Sequence, residues 1–92
     1  MIQQVAVVIL TTGSTEEPAV FQTSVIGAYF RTFPAVECLK GLKNDYLVDL
    51  NKEDYHLFES ENNYFYITNY KSQTYAEGKI VIDEVIVWVI VH

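Results

Sequence analysis

The sequence predicts an α+β fold, a mostly antiparallel β-sheet of about five strands in the order β-β-α-β-β-β with one helix packed on one face. Three observations lead there. Runs of β-branched and aromatic residues recur at strand length, bounded by Gly, Asn, Asp and Ser clusters. Only one segment, opening at Thr32-Phe33-Pro34, combines capping chemistry with helical apolar spacing. The pair Asn62-Asn63 stands between two such runs, and Asn tolerates the positive φ angles of a tight hairpin turn. At 92 residues the chain is expected to be a single domain, residues 1–92.

Ile2 to Thr11 reads as the first strand, ending at the turn cluster Thr12-Gly13-Ser14-Thr15 before Glu16, Glu17 and Pro18. Val20 to Arg31 reads as the second, with Gly27 suited to a bulge or a close approach. Its helical alternative is weaker, because Phe21, Val25 and Ala28 share a helical face that Val20, Ile26 and Phe30 would leave. Thr32 then caps a helix with Pro34 in its first turn, running to about Lys43. Val36, Leu39 and Leu42 form its stripe, with Glu37 early and Lys40 and Lys43 late, and Asn44-Asp45 ends it. Tyr46 to Leu50 reads as a short extended piece. Tyr55 to Glu61 and Tyr64 to Tyr70 form a hairpin, Lys71 to Gly78 a loop, and Lys79 to Val91 a long last strand with a bend or bulge expected at Asp83-Glu84.

The first and last strands are apolar on both faces, which places them in the sheet centre. Val5, Val7 and Ile9 oppose Ala6, Val8 and Leu10; Val85, Val87, Val89 and Val91 oppose Ile86, Trp88 and Ile90. One helix covers only one face, so the other is expected to close by curling into a barrel or against a second copy, with a homodimer preferred.

Composition narrows the function. Six Lys and Arg against twelve Asp and Glu give a net charge of −6, which disfavours direct contact with nucleic-acid phosphates or anionic membranes. No apolar run reaches the eighteen or so residues of a membrane helix, and the first thirty residues hold no Lys or Arg, so neither a membrane span nor a basic-led secretory signal is expected. A lone Cys38 makes no internal disulfide, and the expected location is the cytoplasm of a cell or of an infected host cell.

The candidates for chemistry are thin, and no catalytic residue, cofactor or metal is expected. Cys38 with His56 would be a thiol and its base, but Glu37 beside Cys38 raises rather than lowers a thiol pKa, so a structural thiol is preferred. His56 and His92 with Asp83 or Glu84 lack the close spacing that pre-forms a metal site. Asp54, Glu59 and Glu61 read as a solvated rim rather than an acid/base pair. Thr12-Gly13-Ser14-Thr15 has one glycine, no following Lys and two following glutamates, which repel a phosphate.

The tyrosines are the unusual feature. With Asn62-Asn63 as the turn, Tyr55 opposes Tyr70, Leu57 opposes Thr68, Glu59 opposes Tyr66 and Glu61 opposes Tyr64, all on one outward face. Phe58, Phe65 and Ile67 then turn inward. Tyr55, Tyr64, Tyr66 and Tyr70, edged by Glu59 and Glu61, form a candidate contact surface for a basic protein partner, since tyrosine brings large area and few rotors to freeze. The bland alternative is that tyrosines favour strands and cover a half-exposed sheet. Small size, acidity and this aromatic face resemble the general profile of small virus- or plasmid-borne inhibitors that occupy a basic, nucleic-acid-handling site on a host protein, a likeness of type that rests on no motif. The expectation is thus a non-enzymatic binding or inhibitory module; a small dimeric α+β ligand-binding or catalytic domain, with a pocket between helix and sheet or at the subunit interface, is the alternative.

Overall fold

The computed structural model describes residues 2–13, 20–48, 50, 55–69 and 74–86. They form β1 (Ile2–Gly13), β2 (Phe21–Tyr29), α1 (Thr32–Val48), β3 (Tyr55–Ser60), β4 (Tyr64–Asn69) and β5 (Thr74–Ile86). The strands make one sheet in the order β2-β1-β5-β4-β3, every neighbouring pair antiparallel. This is the α+β architecture the sequence implies, and β1 and β5, the strands expected in the sheet centre, are both interior. Among the described residues the sheet is open, with β2 and β3 as its edges.

The helix covers one face. Ala6, Val8 and Leu10 of β1, Ala76 of β5 and Phe65 and Ile67 of β4 meet Ala35 and Leu39 of α1 in a buried cluster, with Leu42, Tyr46 and Leu57 packed around it. Small residues make this possible. A Cβ at Gly78 would stand 2.8 Å from Leu39 Cδ1 and 2.7 Å from Phe65 Cζ, so the bare glycine is the floor on which the Phe65 ring lies beneath the helix. The other face, bearing Val7, Ile9, Val81 and Val85, carries no helix among the described residues.

Two boundaries depart from the sequence expectation, each for a tertiary reason, and one bulge lies elsewhere than expected. The helix runs past Asn44-Asp45 to Val48, because Tyr46 and Leu47 continue its buried stripe and the Tyr46 ring meets Tyr75 edge-on at 5.8 Å. Lys40 and Lys43 therefore lie mid-helix, and Tyr46 to Val48 is not extended. The last strand begins at Thr74 rather than Lys79, since Ala76 and Gly78, which look like loop residues, are the small positions that β4 and α1 require. The ladder to β1 runs unbroken through Val5↔Asp83 and Gln4↔Glu84, so no bulge falls there. The irregularity in β5 is at Tyr75, where pairing with β4 steps from Ile67↔Ala76 to Thr68↔Thr74. Val87 to Val91 of the expected last strand lie outside the described residues.

A second bulge shapes β2. Pairing with β1 steps from Val8↔Gly27 to Ile9↔Val25, leaving Ile26 as the extra residue. Gly27 does serve a close approach, since a Cβ there would stand 2.9 Å from the Tyr29 ring.

Candidate functional site

The β3–β4 hairpin turns on three residues, Glu61, Asn62 and Asn63, and not on the Asn pair alone. Glu61, at φ 48°, takes the positive dihedral that the two asparagines were expected to supply. The Asn63 N–H donates to the Ser60 carbonyl at 3.4 Å, and the Asn63 carbonyl accepts from Ile80 N–H at 2.9 Å, which ties the turn to β5.

The longer turn moves the register by one residue. Ser60 pairs with Tyr64, Glu59 with Phe65, Phe58 with Tyr66, Leu57 with Ile67 and Tyr55 with Asn69. A one-residue slip sends a strand's side chains to the opposite face. Phe65 and Ile67 remain inside, as expected, but Phe58 turns outward and is 55% exposed. Tyr55 and Glu59 go the other way, to the helix side. Tyr55 packs against the core, and Glu59 Oε2 accepts from Lys43 Nζ of the helix at 2.7 Å. The single Tyr/Glu face expected from the sequence is therefore divided between the two sides of the sheet.

What the helix-free side brings together is Phe58, Tyr64 and Tyr66. The Phe58 and Tyr66 rings lie 6.2 Å apart at a tilt of 35°. Tyr66 Oη shares a hydrogen bond of 2.7 Å with Thr74 Oγ1. Tyr64 Oη donates to Glu77 Oε2 at 3.1 Å. Burial, and then this bond and the Glu77 charge, hold the Tyr64 phenol above its ordinary pKa. Both hydroxyls are thus anchored to β5, which leaves the rings pre-positioned. Glu61 is exposed at the turn, and Tyr70 lies outside the described residues. Phe58 and Glu77 are not legible as site residues: sequence pattern alone places the first in the interior and the second in a loop.

On the helix side a cleft of about 210 Å³ opens between α1 and the hairpin, lined among others by Lys40, Lys43, Glu59 and Glu61. It holds both signs of charge and includes neither His56 nor Cys38. Those two do not meet: Cys38 is half-buried on the helix, where its side chain and the Tyr29 phenol are hydrogen-bonded, and that bond is the main cause of a raised Tyr29 pKa. His56 is exposed on β3 at the opposite edge of the sheet. Among the described residues no three His, Cys, Asp or Glu side chains cluster so as to hold a metal, and no helix is long and apolar enough to cross a membrane. Comparisons with family models, curated proteins and solved structures return no match to this chain.

Proposed function

We propose that this chain is a non-enzymatic protein-binding module, a small acidic inhibitor that occupies a basic site on a partner protein in the cytoplasm, and that it works as a self-associated species, most simply a homodimer. The observation that carries the binding surface is the Phe58, Tyr64, Tyr66 group, presented on the side of the sheet opposite α1, with two hydroxyls already bonded to β5. Rings held in place lose little freedom on docking, which is the condition for an aromatic anchor. The net charge of −6 supports a basic partner, with Glu77 bonded to the Tyr64 hydroxyl. The alternative, a ligand pocket between helix and sheet, has the cleft at Lys43 in its favour, but its volume of about 210 Å³ is below the roughly 300 Å³ at which small-molecule sites begin.

The test is capture from a native lysate followed by mass spectrometry, with the unmodified chain and a Phe58→Ala, Tyr66→Ala double variant as parallel baits. A basic protein retained by the first and lost by the second is the expected result. On the purified pair, Tyr66→Ala should speed dissociation at a cost of about 2 kcal/mol, roughly thirtyfold in affinity, while Glu61→Lys should slow association. Undiminished binding by a correctly folded double variant would remove the aromatic group from the interface.

A further inference from the structure

We infer that the free edge of β2 is the self-association interface: two copies pair β2 against β2, antiparallel about a two-fold axis, and join two five-stranded sheets into one of ten strands. This rests on the self-association proposed above and adds where it occurs.

The first ground is the backbone. β2 ends the sheet, and among the described residues no strand pairs with its outer side. An edge strand presents a row of unpaired N–H and C=O groups, which another extended strand satisfies. The second is the absence of protection. Proteins blunt edges with charge, proline or brevity. The opposite edge, β3, has only six residues and contains Glu59 and His56. β2 has nine, and the stretch Val20 to Phe30 holds no charged residue and no proline. Its side chains are uncovered as well: Phe21 is 60% exposed and Val25 67%.

Charge selects the occupant. Two copies of a molecule at −6 repel over most of their surfaces. β1 and β2 contain no ionisable side chain apart from Tyr29, whereas Glu59, Glu77, Lys79, Asp83 and Glu84 all lie on β3 and β5. Along Val20 to Phe30 a second identical chain therefore meets no like charge, while a basic partner gains nothing there. The sequence also pairs well with itself. Centring the axis on Thr23 sets Phe21 of each copy opposite Val25 of the other, an aromatic to β-branched pair made twice on the helix-free side. Thr23 is already oriented by sharing a 3.0 Å hydrogen bond with Thr11. The bulge at Ile26 interrupts regular pairing and limits the contact to about Phe21 through Val25.

Sedimentation equilibrium across a concentration series tests this, together with hydrogen exchange on the unmodified chain. The expected species is a dimer of twice the 10.6 kDa chain mass. Val25→Lys should weaken dimerisation at least about tenfold by placing two lysines in the contact, and His56→Lys on the other edge strand should leave it unchanged. Amides of Phe21 to Val25 should gain protection as concentration rises. A strictly monomeric wild type would overturn both the interface and the self-association it rests on. A folded Val25→Lys variant with the wild-type dimer constant would overturn the interface alone, as would β2 amides whose exchange ignores concentration, a readout that stands even where the variant does not fold.

Discussion

The two outer hairpins of the sheet share one plan, an edge strand folded back on a strand that pairs with β5, yet they are held in opposite ways. In β4, Phe65, Ile67 and Thr68 are buried, and β3 is tied to the helix through the Lys43–Glu59 pair. In β2 no residue is buried, and the strand is secured by its ladder to β1, the Thr11–Thr23 hydroxyls and the Tyr29 contact with Cys38. The segments FQTSVIGAY and YFYITN have similar strand chemistry. Composition therefore reports that a segment is a strand, but its depth is decided by what lies across it. Over β4 lies Leu39; over the Phe21 end of β2 the inward positions are Gln22 and Ser24, both exposed.

The largest expected effect separates the hairpins directly. Phe65→Ala should cost about 3 to 5 kcal/mol in urea unfolding, a large part of the stability of a domain this size, because it empties the space between Gly78 and Leu39. Phe21→Ala, measured in dilute monomer, should cost less than about 1 kcal/mol. Equal losses would break the comparison. A finer version uses glycine. Gly78→Ala drives a methyl group into Phe65 and Leu39 and should cost about 1 to 3 kcal/mol. Gly27→Ala meets the Tyr29 ring first, which is half-exposed and able to swing aside, so its cost should be the smaller of the two.

The smallest effect is a titration. Tyr64 and Tyr29 both have pKa values raised above the ordinary 10.0, the first mainly by burial and the second mainly by the Cys38 hydrogen bond. A raised folded-state value favours the protonated phenol, so its contribution to stability is complete below about pH 10 and is lost as pH climbs through the folded pKa. In an NMR-detected titration both should ionise late. Glu77→Gln should lower the Tyr64 value partway, because burial remains, and leave Tyr29 unmoved.

Much of this was legible. The five strands, the helix start at Thr32, the interior place of the apolar strands and the inward Phe65 and Ile67 all follow from residue chemistry and period. The hairpin register did not, and the reason is physical. Local turn rules favour Asn62-Asn63, but β4 is positioned by Gly78 and Ala76 of β5, and a three-residue turn then lets Leu57 meet Ile67 and Glu59 reach Lys43. Those partners are distant in sequence. The helix end was missed likewise, since what continues α1 beyond Asp45 is Tyr75, on a strand met thirty residues later.

The single extra residue at Ile26 has a consequence for how this strand tolerates change. Side chains alternate along β2, and the bulge resets that alternation: Gly27 and Tyr29 share the side of Val8 and Ala6, while Phe21, Thr23 and Val25 share that of Gly13, Thr11 and Ile9. Were Ile26 instead paired in a regular ladder, Val25 would fall opposite Leu10, and the aromatic and branched side chains would turn towards the helix while Gln22 and Ser24 took the open side. Parity, rather than composition, decides what this edge displays. Deleting Ile26 itself would thus leave Phe21, Thr23 and Val25 on the side they occupy, whereas drawing Ile26 into a regular ladder would invert the surface.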